Sequence, residues 1–464
     1  MARRTAAERL AAFAHGLRLE DVPPAIVEKA KLHILDTLGC AIAGADTAFA
    51  RASLAALRRF SDGRGSVAIG QRAKPGLRDA IMFNAGIGHM LDFDDTHTPT
   101  LNHVSVVATP LVLALGAHLG RSGRDMLTAY LVAAETGCRV GLAAGDGAFL
   151  HRGVHPTGAP NAFGAALAAG RLMGLDEGQM VHAQGIALGF AAGSMEWQRD
   201  GAEAKRLHPG IAAVGGLSAA SYAAAGITGP RLPYEGDAGL YRIFLGERAA
   251  MDRTALTAGL GRRWAFRDVS IKAFPLVHHL HGVIECALRL VEEEGVRPDA
   301  VERVTALIAQ PQIAILCEPE RIKRSPTNAY QGIFSLYHTV ALALARRRVT
   351  LEETGAGLLD DPEIAGLRRR IDYAIDPDSR YPRSYSGGVL ARMKDGRELV
   401  RHVAYHPGAR EAPLPPERIV AKFRDNAGRL YLEARIATLV DTVMALDRSA
   451  TPADLAGRLG ASGG

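Results

Sequence analysis

The run Gly158-Ala159-Pro160-Asn161-Ala162-Phe163-Gly164-Ala165-Ala166-Leu167-Ala168-Ala169-Gly170 constrains the fold more than any other feature of the chain. Small residues recurring at helical spacing bring helix backbones close together, and nothing in the run alternates with the two-residue period of a strand. Comparable Ala- and Gly-rich stretches occupy 104–144 and 210–225. The chain up to about residue 260 therefore reads as packed helices. With 464 residues, 48% of them hydrophobic, it is long enough for a large core and for two or three domains.

In order, helices are expected at 4–16, from the entry Leu19-Glu20-Asp21-Val22-Pro23-Pro24 to Gly44, and at 47–59 and 76–91. Further helices are expected across 104–144, at 159–173, 176–193 and 210–225. The texture changes after Trp264. A long helix over 275–294 precedes a strand at 301–308, a helix at 328–347 and a strand at 371–375. Residues 389–403 then read as a hairpin turning at Asp395-Gly396. Past Pro413-Leu414-Pro415-Pro416 the chain returns to helix at 416–427 and 430–447. The predicted class is mainly α: a large all-helical domain (1–265), a smaller α+β lid domain (266–404), and C-terminal helices (405–464) returning to the first.

Titratable groups are concentrated in a few places. His89-Met90-Leu91-Asp92-Phe93-Asp94-Asp95-Thr96-His97, continuing to His103, packs three carboxylates and three imidazoles between apolar flanks. Such groups are costly to bury unless partnered, so the segment reads as a pocket lining or as a solvated loop. His151, Arg152 and His155 lie just ahead of a helix amino terminus, and Lys205, Arg206 and His208 ahead of another. Backbone N–H groups there favour an anion. Lys272, His278, His279 and His281 enter the helix at the domain junction, and Lys323-Arg324 forms a basic turn.

Several function classes are excluded or disfavoured. The net charge of +6 comes from arginines spread along the chain, without a basic block interleaved with aromatics, so no nucleic-acid partner is expected. No apolar run reaches the ~18 residues that span a bilayer, so no membrane partner is expected and the cytoplasm is the expected compartment. The four separated cysteines form no CxxC pair, which suits a reducing compartment and no cysteine-rich zinc site. No HExxH pattern is present and the 278–281 histidines fit no standard zinc set, so no metal is expected. A magnesium–diphosphate role for Asp92-Phe93-Asp94-Asp95 would want an aromatic pocket and a second acidic motif, and the helical half is poor in both.

Taken together, the segments resemble the MmgE/PrpD family, which includes 2-methylcitrate dehydratase, cis-aconitate decarboxylase and iminodisuccinate epimerase. The resemblance runs from Ile34-Leu35-Asp36-Thr37-Leu38-Gly39 through Asp92-Phe93-Asp94-Asp95-Thr96-His97, His155-Pro156-Thr157 and Lys205-Arg206-Leu207-His208-Pro209-Gly210. It continues to Lys272-Ala273-Phe274-Pro275, His281 and Ala421-Lys422-Phe423-Arg424. It implies a helical domain with an α+β lid, a homodimer, and a cleft that works without metal or organic cofactor. Carried over by position, the implied active-site set is Asp92, Thr96, His103, His155 and Lys205, joined by Lys272 and the histidines near 278–281. Three positions depart from the family pattern: Val104 in place of Pro, Val277 in place of His or Cys, and His338 in place of Tyr.

The chemistry so implied is proton transfer at a carbon next to a carboxylate, on a small di- or tricarboxylate. His103 and His155 are expected as the catalytic base and acid, with Asp92 orienting an imidazole. Lys205, His208, Lys272, His278 and His281 are expected to hold substrate carboxylates, and Thr96 a hydroxyl or carboxylate. A carbon–oxygen hydro-lyase of the 2-methylcitrate dehydratase type is the first expectation. Decarboxylation of a cis-aconitate-type acid, epimerisation of a dicarboxylic amino or imino acid, or a non-catalytic binding protein that kept the pocket are the alternatives.

Overall fold

The computed structural model describes residues 4–61, 65–145, 147–247 and 251–461, with the side chains of 199 and 200 excepted. The chain divides into two compact units, Met1–Val269 with Pro415–Gly464, and Ser270–Leu414.

The first unit is built from helices whose ends are written in the sequence. Thr5 with Glu8, Ser122 with Asp125, and Asp176 with Gln179 close capping boxes on Ala6–Gly16, Gly123–Leu142 and Glu177–Ala187. Pro24 opens Pro24–Gly44, which is buried along most of its length. Around it pack Leu77–His89, Ser105–His118 and the C-terminal helix Pro416–Ala427. Leu10, Phe83, Tyr130, Phe163 and Leu439 share one continuous apolar core.

At its centre the Ala159–Met173 helix is approached from two sides, by Gly123–Leu142 and by His208–Ala224. A β-carbon on Gly164 would stand 2.4 Å from the carbonyl oxygen of Ala133, and one on Gly216 would stand 2.4 Å from the Ala165 β-carbon. Glycine is thus required where backbones meet, as the small-residue run implies. Loops from the amino ends of Ser105–His118, Ala159–Met173 and His208–Ala224 carry the candidate site.

The second unit has a four-stranded sheet in the order Ile371–Ile375, Val301–Ile308, Gly387–Met393, Glu398–Val403. Val301–Ile308 pairs parallel with Ile371–Ile375 and antiparallel with Gly387–Met393. The hairpin turns at Gly396, whose φ of 86° suits glycine. Val304, Ala306, Ile308, Val389 and Ala391 face a core made with His281–Glu294 and Leu336–Arg346.

Several expectations are corrected. The helix expected from 275 begins at His281, because the chain bends through 273–276, where the Leu276 N–H donates to the Phe274 carbonyl at 2.9 Å, and His278–Leu280 is a single 3-10 turn. The helix expected over 328–347 is broken between Ala329–Ile333 and Leu336–Arg346. There Ser335 is extended and its hydroxyl caps the His338 N–H while donating to the carbonyl of Lys323. The second unit runs to Leu414 instead of 404, since His406 turns back to bond Ser270, Ser384 and the Tyr385 N–H. Residues 146–158, which read from the sequence as a loop, hold a short helix, Ala148–His151; residue 146 lies outside the described residues. No single helix among the described residues is long and apolar enough to cross a membrane.

Gly216→Ala should destabilise the protein by about 1–3 kcal/mol in urea unfolding, because the helix frame must shift to admit the methyl. Gly189→Ala, whose β-carbon would meet nothing within 4 Å, should change stability by less than about 0.5 kcal/mol.

Candidate active site

His89 ends the Leu77–His89 helix, and the chain then turns sharply through Asp92, which adopts a left-handed φ of 53°. That conformation is tolerable for aspartate. Its carboxylate meets the ammonium group of Lys205 at 2.7 Å, and both side chains are buried. Lys205 sits in the 3-10 turn Glu203–Leu207 and lies over the ring of Trp197 at 5.2 Å.

Two residues on, Asp94 serves imidazoles. Its Oδ2 lies 2.8 Å from Nδ1 of His89 and 3.1 Å from Nδ1 of His103, with all three side chains buried. His103 Nδ1 is also 2.7 Å from the backbone carbonyl of Asp95, which can only accept. Nδ1 of His103 therefore carries a proton, and in the neutral ring the lone pair falls on Nε2. Asp92, expected from the sequence to orient an imidazole, pairs with Lys205, and among the described residues Asp94 and Asp95 are carboxylates that face imidazole nitrogens. His89, Asp94 and His103 do bring three ligating atoms within 4.8 Å of one another. Within the trio, Nδ1 of both rings is engaged in hydrogen bonds to oxygen.

The backbone of His103 is held from the neighbouring helix. Thr157 Oγ1 accepts from its N–H at 3.2 Å, and the Asn161 side chain donates to its carbonyl at 3.2 Å. Asp95 anchors the loop from below, accepting from His33 at 2.5 Å and from Ser105, whose hydroxyl also meets Tyr130. His97 points away from the others to Thr100, 2.7 Å distant. Thr96 is buried, and its hydroxyl meets no hydrogen-bond partner among the described residues.

His155 approaches the same place from the loop before Ala159–Met173. Its ring centroid is 5.7 Å from that of His89, 6.5 Å from His103 and 6.2 Å from Trp197. Its Nδ1 stands 3.0 Å from Nδ1 of His208, the first residue of His208–Ala224. Two such nitrogens can share only one proton, so one ring donates and the other accepts. The first unit thus gathers Asp92, His103, His155, Lys205 and His208 around one spot, at the amino ends of three helices.

Burial, reinforced by the imidazoles and ammonium around it, pushes His155 well below the usual histidine range. His89 is pushed down by burial to about 4, and His208 is lowered by burial and by Lys205. Burial raises the Asp94 carboxyl, yet His89 and His103 more than reverse this and hold it well below the ordinary value. The site thus combines an ionised Asp94 with neutral imidazoles at His89 and His155.

Lys272, His278 and His281 belong to the second unit and are all buried there. His278 lies with ring centroids 4.5 Å from His281, 4.6 Å from His406 and 5.0 Å from Tyr385. His406 and Tyr385 had no signal in the sequence beyond being an isolated imidazole and phenol. Other expected groups have ordinary roles. His151 and Arg152 are exposed. Lys323 caps the carbonyls of Ile315 and Phe334, and Arg324 pairs with Asp372 over the ring of Tyr337.

A helical unit carrying buried imidazoles, carboxylates and a lysine, followed by an α+β unit, defines a class of protein equipped for acid–base chemistry. The MmgE/PrpD N-terminal domain matches residues 8–251 and the MmgE/PrpD C-terminal domain matches residues 274–446. The chain belongs to the MmgE/PrpD family. Similar proteins include a cis-aconitate decarboxylase of Aspergillus terreus, 27% identical over 94% of this chain and 92% of that protein. The human and mouse cis-aconitate decarboxylases are 25% and 24% identical, over 95% of this chain and 91% and 90% of theirs.

The histidines give a pH dependence whose sign can be worked out. His33 and His89 titrate at about 4 and His97 at about 3 when folded, all lowered by burial, against an ordinary value of 6.5. Between pH 6.5 and about 4 only the unfolded chain takes up these protons, so stability falls as pH falls. Asp36, raised by burial to about 6, and Glu135, also raised by burial, act in the opposite sense, but more imidazoles than these two carboxyls are shifted, His338 and His406 among them. The melting temperature should therefore drop on going from pH 7 to pH 5; a flat profile would contradict neutral burial of these rings.

Proposed function

We propose that this protein is a lyase that removes carbon dioxide from a small unsaturated tricarboxylate of the cis-aconitate type. The observation that carries the reading is the meeting of His103, His155, His208 and the Lys205–Asp92 pair in one buried place. The names of the similar proteins support decarboxylation ahead of the dehydration expected from sequence.

In such an acid the departing carboxylate is β,γ to the double bond. Its carbon–carbon bond breaks, and that electron pair becomes a new double bond one position along. The old π pair takes a proton at the carbon next to another carboxylate. One proton enters, one carbon dioxide leaves, and the charge of the acid falls from three minus to two minus. A substrate of that charge reverses the electrostatics that keep His155 neutral, so binding itself recruits the imidazolium that donates the proton. His208, sharing a proton with His155, replaces it. Lys205 and the helix amino ends hold the remaining carboxylates.

Dehydration is the second reading, favoured by one observation: His103 offers an Nε2 lone pair while the His155–His208 pair offers an N–H. Removal of a proton next to a carboxylate and protonation of a leaving hydroxyl need that combination.

The purified protein incubated with cis-aconitate, 2-methylcitrate and citrate in D₂O and followed by NMR should release carbon dioxide from cis-aconitate. The product should carry one deuterium next to a carboxylate. Loss of water from 2-methylcitrate alone would assign the hydro-lyase, and inertness toward all three acids would leave a binding protein. His155→Ala should lower kcat by about 10²–10⁴-fold in a folded protein. Prior treatment with chelator should leave the rate unchanged, since no step runs through a metal.

A further inference from the structure

Between the two site carboxylates, Asp92 and Asp94, stands Phe93, and a group from the far end of the chain holds it. Lys422, on the C-terminal helix Pro416–Ala427, donates to the Phe93 carbonyl at 2.9 Å. Its ammonium lies 3.6 Å from the Phe93 ring centroid, and 2.7 Å from Oδ1 of Asp36 on the Pro24–Gly44 helix. Lys422 is 9% exposed, and Phe93 and Asp36 still less. A buried lysine is costly, and ordinary helix packing could be met by an apolar side chain of the same volume.

We infer that Lys422 is a positioning residue of the active site: by fixing the carbonyl and ring of Phe93, it sets the two neighbouring carboxylates in register. Asp92 leaves Phe93 on one side in its left-handed turn toward Lys205. Asp94 leaves it on the other toward His89 and His103. With Phe93 released, both carboxylates can rotate, and the Nδ1–H tautomer of His103 loses one of the two acceptors that specify it. Asp36 has the separate task of balancing the charge of Lys422. The inference rests on the acid–base reading above.

Two variants of the full chain separate positioning from bulk stability. Lys422→Met keeps the length of the side chain but cannot donate to Phe93, and should lower kcat by about 10²-fold, the scale of a ~1 Å misplacement, with KM changed less than about threefold. Asp36→Asn leaves the Lys422–Phe93 bond and an acceptor oxygen in place, and should keep kcat within about threefold of the parent. A readout independent of turnover is the ¹⁵N NMR of histidine-labelled protein. The parent should show His103 as the Nδ1–H tautomer, and Lys422→Met should show mixed tautomers with the fold retained by circular dichroism. Unaltered imidazole signals in a folded Lys422→Met protein, or equal loss of activity and melting temperature in both variants, would overturn the inference. If the parent turns over none of the acids, the functional reading fails while the tautomer comparison still decides the placement.

Discussion

A carboxylate with no exposure, Asp94, is kept ionised by two imidazole N–H groups, and the arrangement of the site follows from that. Burying a charge is tolerable only where hydrogen bonds replace water, so His89 and His103 must both present Nδ1–H to the same oxygen. That requirement turns the other nitrogen of His103 outward as an acceptor. The second charge pair, Asp92 with Lys205, is kept separate by the left-handed turn between them. One short loop therefore supports two electrostatic systems, one specifying tautomers and the other carrying a cation.

The helical scaffold explains why such a loop can be dry. Helices that touch through glycine and alanine leave little room between their axes, so their amino ends come together closely enough for His103, His155 and His208 to meet. Thr157 and Asn161, at the start of the central helix, grip both backbone groups of His103. Packing and chemistry are thus joined at the same residues.

Much of this was readable in the sequence. The proline entry at Pro24 opens a helix as its chemistry requires, and of the clustered polar residues the structure brings Asp92, His103, His155, Lys205 and His208 together while His97 turns to Thr100. What could not be read was which carboxylate serves which partner: Asp92 and Asp94 differ in sequence by nothing that distinguishes a lysine partner from an imidazole one. That choice depends on the backbone sign at Asp92 and on a lysine 329 residues from Phe93. The second unit was misjudged at Ser335 and His406 for a related reason. Side-chain bonds between distant segments there override the local helical period and extend the unit to Leu414.

The shared proton between His155 and His208 has a further consequence. Where two rings meet nitrogen to nitrogen over one proton, the ring that accepts there must carry its own proton on Nε2, so the two tautomers are set together and a charge brought near one ring is felt by both.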